Sequence, residues 1–314
     1  MSFPVFDLHC DSITRLAGHD LNGGENIRSN NFHIDLERGS RIGGYAQCFA
    51  FWSTTDMKLP RGLKVQDMFW RQVSFLQDYI DKNSDMIRQA RTAAQVQKNL
   101  EEGLISAIFT LEGPANIGFE VSKLQKLYDL GFRISTLGWN EKNCLTGSNK
   151  TGGGLTKQGR AYVKECQRLG ILVDVSHISD EAFWDIMDIT EKPVIASHSN
   201  SRSVCDVSRN LTDDMFKAIC ATGGVAGFNF CPSFVGEDAD LDQCCDHIIH
   251  FLEIDPDGSH VALGGDLDGI GETPKGFDGV QDYPKLAARL LERGLDEKTV
   301  RNIFWNNAFG VMDK

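Results

Sequence analysis

Six residues of metal-ligating or proton-transferring type stand far apart in the chain: His9 and Asp11 in FDLHCD, Glu112 closing SAIFTLEGP, His177 in ILVDVSHIS, His198 in PVIASHSNSR, and Asp266 in VALGGDLDG. His9 and Asp11 are two apart, so an extended backbone points both side chains one way and Cys10 the other, and one metal ion could take both. Taken alone, such a pair reads more readily as a satisfied surface pair. Glu112 ends a mostly apolar run, where burying a carboxylate is costly unless a cation or metal offsets it. Its two oxygens could bridge two ions, and the alternative is a salt bridge to a loop arginine. His177 and His198 end consecutive apolar runs 21 residues apart, room for one helix and its loops. Two imidazoles so placed favour zinc. Asp174 lies inside the first of these runs, three residues before His177, and is expected to support the site or the barrel wall. Asp266 comes first after its run, whereas Asp268 either supports it or forms an Asp-Gly turn.

Residues so far apart need a scaffold that gathers strand ends. Short apolar runs predict eight strands, at 5–8, 45–51, 105–111, 133–137, 171–176, 194–197, 224–229 and 261–264. Between most of them lie amphipathic helical patterns, at 64–82, 120–130, 156–169, 180–189, 212–221, 240–252 and 282–292. Near-continuous apolar runs such as ILVDV and AIFTL suit a parallel sheet covered on both faces. Eight strands with intervening helices predict an α/β fold, a (β/α)₈ TIM barrel, and no GxGxxG follows the first strand to support an open doubly wound sheet. In a barrel the six residues all end strands and converge on the C-terminal mouth, where they would form a binuclear metal site. None of His19, His33, His247, His250 and His260 ends a predicted strand.

The 314 residues suit one such barrel domain spanning 1–314, with insertions, since barrels of this kind run to about 250 residues. A composition of 41% hydrophobic and 24% charged residues is globular. The net charge of −12 repels phosphate backbones and anionic lipid, which excludes nucleic acid as a partner. No apolar stretch approaches the roughly 18 residues of a membrane span. The first residues, MSFPVFDLHCD, are polar where a secretory leader is apolar. Nine cysteines without a CxxC pair imply neither a disulfide framework nor a cysteine zinc site, so no membrane association and a cytoplasmic location are expected.

Together DLHCD, FTLEGP, VDVSHIS, PVIASHSNSR with the following RN, and GGDLDG resemble the membrane dipeptidase (renal dipeptidase) family of the amidohydrolase superfamily, in family order over nearly the whole chain. The resemblance implies a cytosolic, bacterial-type zinc dipeptidase. His9 and Asp11 would hold one zinc, His177 and His198 the other, and Glu112 would bridge them. Asp266 would be the catalytic carboxylate, and Arg209 would receive the terminal carboxylate of the substrate. Two zinc ions sharing a water would give a bridging hydroxide at neutral pH to attack the peptide bond. Substrates would be L-Xaa-L-Xaa and L-Xaa-D-Xaa dipeptides, and a homodimer is compatible with the family. Arg202 is a rival for the carboxylate. Two positions depart from the renal pattern: Trp139 stands where a histidine contacts the scissile carbonyl, leaving Asn140 as a substitute donor, and Cys231 stands where a tyrosine lines the pocket. The competing readings are another amidohydrolase-type enzyme acting on an N-acyl amino acid, lactone or phosphoester, and a non-catalytic zinc-binding barrel.

Overall fold

A computed structural model describes residues 3–17, 26–59 and 62–314; His19 lies outside them. Nine strands form one parallel sheet: β1 (Val5–Cys10), β2 (Tyr45–Trp52), β3 (Ile87–Gln89), β4 (Ile105–Glu112), β5 (Phe132–Thr136), β6 (Leu172–Asp174), β7 (Val194–Ile195), β8 (Ala226–Phe228) and β9 (Val261–Leu263). Eight run in the order β7-β6-β5-β4-β2-β1-β9-β8. A parallel bridge between Ala196 and Ala226 joins the two ends, with Ala196 N–H donating to the Val225 carbonyl at 3.0 Å and Gly227 N–H to that of Ala196 at 2.8 Å. The result is the expected (β/α)₈ barrel. All eight predicted strands are present, though β6, β7 and β8 are shorter than their apolar runs.

The ninth strand, β3, was not expected. It pairs with Ile105–Ala107 at the start of β4, while β5 pairs with Phe109–Leu111 further along the same edge. Its three residues Ile-Arg-Gln include one buried apolar side chain and give no periodic signal.

Alternation along the strands divides the core into two layers. In β4, Ile108 packs with Phe6, Leu8, Ile134, Leu172 and Ile195, and with Trp305 and Val311 from the C-terminal helical segment. Its neighbours Phe109 and Leu111 face the other way, into the layer between strands and helices. There Phe51 meets Phe109 and Phe132 with ring centroids 5.3 and 5.0 Å apart. The predicted helices begin where caps dictate. Thr156, Ser179, Thr212 and Asp240 each accept a hydrogen bond from a backbone N–H in the first turn, which is why the helices start one residue later. No helix among the described residues is long and apolar enough to cross a membrane.

The barrel leaves little room between the end of β7 and the segment that follows β9. A Cβ on Gly264 would lie 1.6 Å from the Ser197 carbonyl oxygen, so only glycine lets the strand carrying Asp266 approach the one carrying His198. Every strand points its carboxyl end at the same mouth, which brings together the ends of β1, β4, β6, β7 and β9.

Candidate metal centre

Glu112, the last residue of β4, lies at the middle of the cluster. Its Oε1 is 3.0 Å from His177 Nε2 and 3.7 Å from His198 Nε2, and its Oε2 is 3.4 Å from His9 Nε2. His9 Nε2 is also 3.5 Å from Asp11 Oδ2 and 4.0 Å from Asp266 Oδ1. The Nε2 atoms of His177 and His198 are 2.9 Å apart. Two overlapping groups have ligand atoms close enough for a single ion: His9, Glu112 and His198, and His9, Asp11 and Asp266. All six residues singled out in the sequence therefore meet. His177 and Asp266 get there on backbone with φ of 71° and 57°, left-handed turns just past their strand ends.

The residues fit a divalent cation. His9 Nε2, Asp11 Oδ1 and Glu112 Oε2 are buried without a hydrogen-bond partner, a costly state unless something else satisfies them. Burial pushes His177 and His198 well below the ordinary imidazole range, helped by Arg209 and His9, so both are neutral with a lone pair to offer. Burial also opposes protonation of His9, but Glu112 and Asp11 outweigh it and raise its pKa. Burial lifts Glu112 to about 7 and Asp266 to about 6; Asp11 adds to both shifts and His9 opposes them. Three imidazoles and three carboxylates packed this way suit a divalent cation, which would replace the proton that His9 otherwise holds.

A second layer of hydrogen bonds orients these side chains. Ser197 Oγ donates to Asp174 Oδ2 at 2.5 Å and lies 2.7 Å from His198 Nδ1. The single hydroxyl proton is committed to Asp174, so Nδ1–H of His198 is the donor and Nε2 keeps its lone pair. Asn140 Oδ1, 3.1 Å from His177 Nδ1, fixes that ring in the same way. Asp174 also accepts from the backbone N–H of Ser176 and Ser197, tying β6 to β7. Across the barrel Asp7 accepts from the N–H groups of His9 and Gly265 at 2.8 and 2.9 Å, and from Gln47 and Tyr283. Asn229 Nδ2 donates to Asp266 Oδ2 at 3.0 Å. Asp268 is engaged by Ser12 and by the His33 N–H, which makes it a support rather than a free carboxylate. A Cβ on Gly269 would sit 2.2 Å from Asp11 Oδ2 and 2.5 Å from Asp266 Oδ1, so a side chain there would displace these two carboxylates.

Sequence reasoning did not find Asp7, Ser197 or Asn229. Asp7 carried a signal, a carboxylate inside an apolar strand two residues before His9; the other two carried none. His33, His247, His250 and His260 bond to Asp268, Val235, Asp213 and Gly224 respectively and stay outside the cluster.

A cavity of about 890 Å³ opens above Glu112, His177 and Asp266, walled by Trp52, Trp139, Phe234 and Ile270. Trp139 meets Trp52 edge-on with centroids 5.1 Å apart. Cys231 lines the wall with its Sγ 3.2 Å from Ser233 Oγ. Arg209 is 5% exposed and faces this space. Its Nη1 donates to Ser199 Oγ at 2.6 Å, while Nε and Nη2 have no partner. Arg202 is held bidentately by Asp180 at 2.7 and 2.8 Å and does not line the cavity.

A closed parallel barrel with buried imidazoles and carboxylates gathered at its carboxyl mouth, beneath an open cavity, defines a metal-dependent hydrolase of the amidohydrolase type. The chain belongs to the membrane dipeptidase family, peptidase family M19, which it matches over residues 1–314. It is therefore a metal-dependent dipeptidase by family. It is 36% identical over 214 residues to an uncharacterized dipeptidase of Schizosaccharomyces pombe, covering 66% of this chain and 52% of that protein, so the match spans about half of the yeast relative. Dipeptidase verJ of Clonostachys rogersoniana is 33% identical over 298 residues, 90% of this chain and 75% of that one. Among solved structures, a metallopeptidase from Rhodobacter sphaeroides bound to a phosphinate mimic of the dipeptide L-Ala-D-Ala superposes with a TM-score of 0.87 at 27% identity, covering 99% of both chains.

The Asp174–Ser197–His198 chain predicts that metal affinity depends on a residue that would touch no metal. Asp174→Asn should weaken binding by about 10- to 100-fold, the usual effect of losing such a partner. Competition with a chelator measures this, and an unchanged affinity would contradict the relay.

Proposed function

We propose that the chain acts as one catalytic domain over 1–314 and hydrolyses the peptide bond of dipeptides at a two-zinc site. His9 and Asp11 would hold one ion, His177 and His198 the other, with Glu112 shared. The observation that carries the reading is the division of Glu112, one oxygen toward His177 and His198 and the other toward His9. When bound, the ions supply Lewis acidity to a carbonyl oxygen and lower the pKa of a water from about 15.7 towards 7.

The residues of the chain do the rest. Asp266, its pKa raised to about 6 by burial and its carboxylate held by Asn229, is suited to take a proton from the attacking water and pass it to the leaving amine nitrogen. Arg209 offers two unpartnered N–H donors in a planar fork, the right shape for the substrate's terminal carboxylate. A carboxylate fixed one residue beyond the scissile bond defines a dipeptide. Trp139 forms a wall against the substrate, and Asn140 acts mainly by orienting His177. The R. sphaeroides relative holds a mimic of an L,D-dipeptide, so we extend the proposal to L-Xaa-D-Xaa as well as L-Xaa-L-Xaa substrates. The nine cysteines are all free thiols, in keeping with a reducing cytoplasm.

Two outcomes follow. Asp266→Asn should keep most of the metal and lose about 10²-fold or more in kcat, the scale of general acid–base catalysis; ordinary turnover in that variant would place the proton shuttle elsewhere. Arg209→Met should reduce kcat/KM for dipeptides by about 10²-fold with metal content unchanged, and amidation of the substrate carboxylate should cost the unaltered enzyme a similar amount. Both changes remove the same contact, so the losses should not add. Equal cleavage of free and amidated dipeptides would reject Arg209 as the group that measures length.

A further inference from the structure

Three cations line the cavity, and two are spoken for. Arg15 donates to the carbonyl oxygens of Asp268 and Ile270 at 2.8 and 3.2 Å, and Arg209 is assigned to the substrate carboxylate. The third, Lys150, is exposed and has no carboxylate partner among the described residues. It sits on a pinned loop rather than a loose one. Asn149 N–H donates to the His177 carbonyl at 2.8 Å, and Ser148 bridges to Ile178. The Lys150 N–H donates to Ser148 Oγ at 3.3 Å.

The barrel order says which part of a substrate this cation would meet. Arg209 follows β7 and lies over the ring of Phe234, beyond β8. Around the ring, β2 and β4 lie opposite β7 and β8. Trp52 closes β2 and Trp139 follows β5, and their edge-on contact builds a wall facing Arg209 across Glu112. A dipeptide with its carboxylate on Arg209 and its scissile amide above Glu112 must run its N-terminal residue toward that wall. Lys150 belongs to the same β5 loop as Trp139, in the part of it that Ser148 and Asn149 fasten to the end of β6 beside His177. Glu272, a carboxylate of the rim, follows β9 on the far side and would not oppose a negative group there.

We infer that Lys150 selects an acidic side chain on the N-terminal residue, so that the site favours dipeptides beginning with glutamate or aspartate over their uncharged amides. This rests on the dipeptidase reading above and refines its substrate class. An exposed ion pair is modest, so the preference should be about three- to fivefold and should fall as salt is added.

The test compares kcat/KM for L-Glu-L-Ala and L-Gln-L-Ala on the metal-loaded full chain, with L-Ala-L-Glu and L-Ala-L-Gln as the mirrored pair. Each ratio is taken on one protein preparation, so a general loss of activity cancels. The unaltered enzyme should prefer L-Glu-L-Ala, Lys150→Gln should bring the ratio near one, and Lys150→Glu should invert it. A ratio of one in the unaltered enzyme, a preference that survives Lys150→Glu, or a preference confined to the mirrored pair would each overturn the assignment. Cleavage of none of the four peptides would overturn the dipeptidase reading and this selection with it, whereas equal cleavage of all four would reject Lys150 alone.

Discussion

Three carboxylates and three imidazoles cannot share a buried space a few ångströms across without something to balance them. Glu112 is where this constraint is sharpest, because it is 3% exposed and its two oxygens face imidazoles from different strands. Without a cation, burial, with the added repulsion of Asp11 and Asp266, lifts the pKa of Glu112 to about 7. A pair of divalent ions would resolve the repulsion and satisfy the unpartnered atoms of His9, Asp11 and Glu112 together. The features that are expensive for the bare polypeptide are those that would make ion binding strong.

The rest of the barrel is arranged to keep that cluster in register. Two buried aspartates act as clamps below it. Asp7 ties the end of β1 to the segment after β9, and Asp174 ties β6 to β7. Each clamp spans two strands that carry site residues, so a shift in one strand would be felt by its neighbour. Glycine at 264 removes the side chain that would otherwise hold the segment after β9 away from the end of β7, and glycine at 269 leaves room for the Asp11 and Asp266 carboxylates. Above the cluster, Arg209 is buried with two donors unused, which an anion entering the cavity would satisfy.

Much of this was legible in the sequence because strand ends in a parallel barrel are marked twice, by an apolar run and by the polar residue that stops it. His9, Glu112, His177, His198 and Asp266 all carry both marks, and all converge. The family resemblance added Arg209, which no local pattern singles out. What stayed hidden depends on partners distant in sequence. Ser197 looks like any strand-end serine until Asp174 and His198 are placed on either side of it, and Asn229 until Asp266 is beside it. β3 escaped because three residues carry no period. Asn140, expected to touch substrate, has its carboxamide oxygen turned to His177, a contact that no spacing rule foretells.

The most direct test of a shared carboxylate is the metal content of the purified chain and of Glu112→Gln, determined by elemental analysis at equal protein concentration. Close to two zinc equivalents per unaltered chain, with both weakened together by the single substitution, is the result expected if Glu112 joins the two half-sites. A single equivalent in the unaltered chain, or loss of one ion while the other stays fully bound in Glu112→Gln, would contradict it.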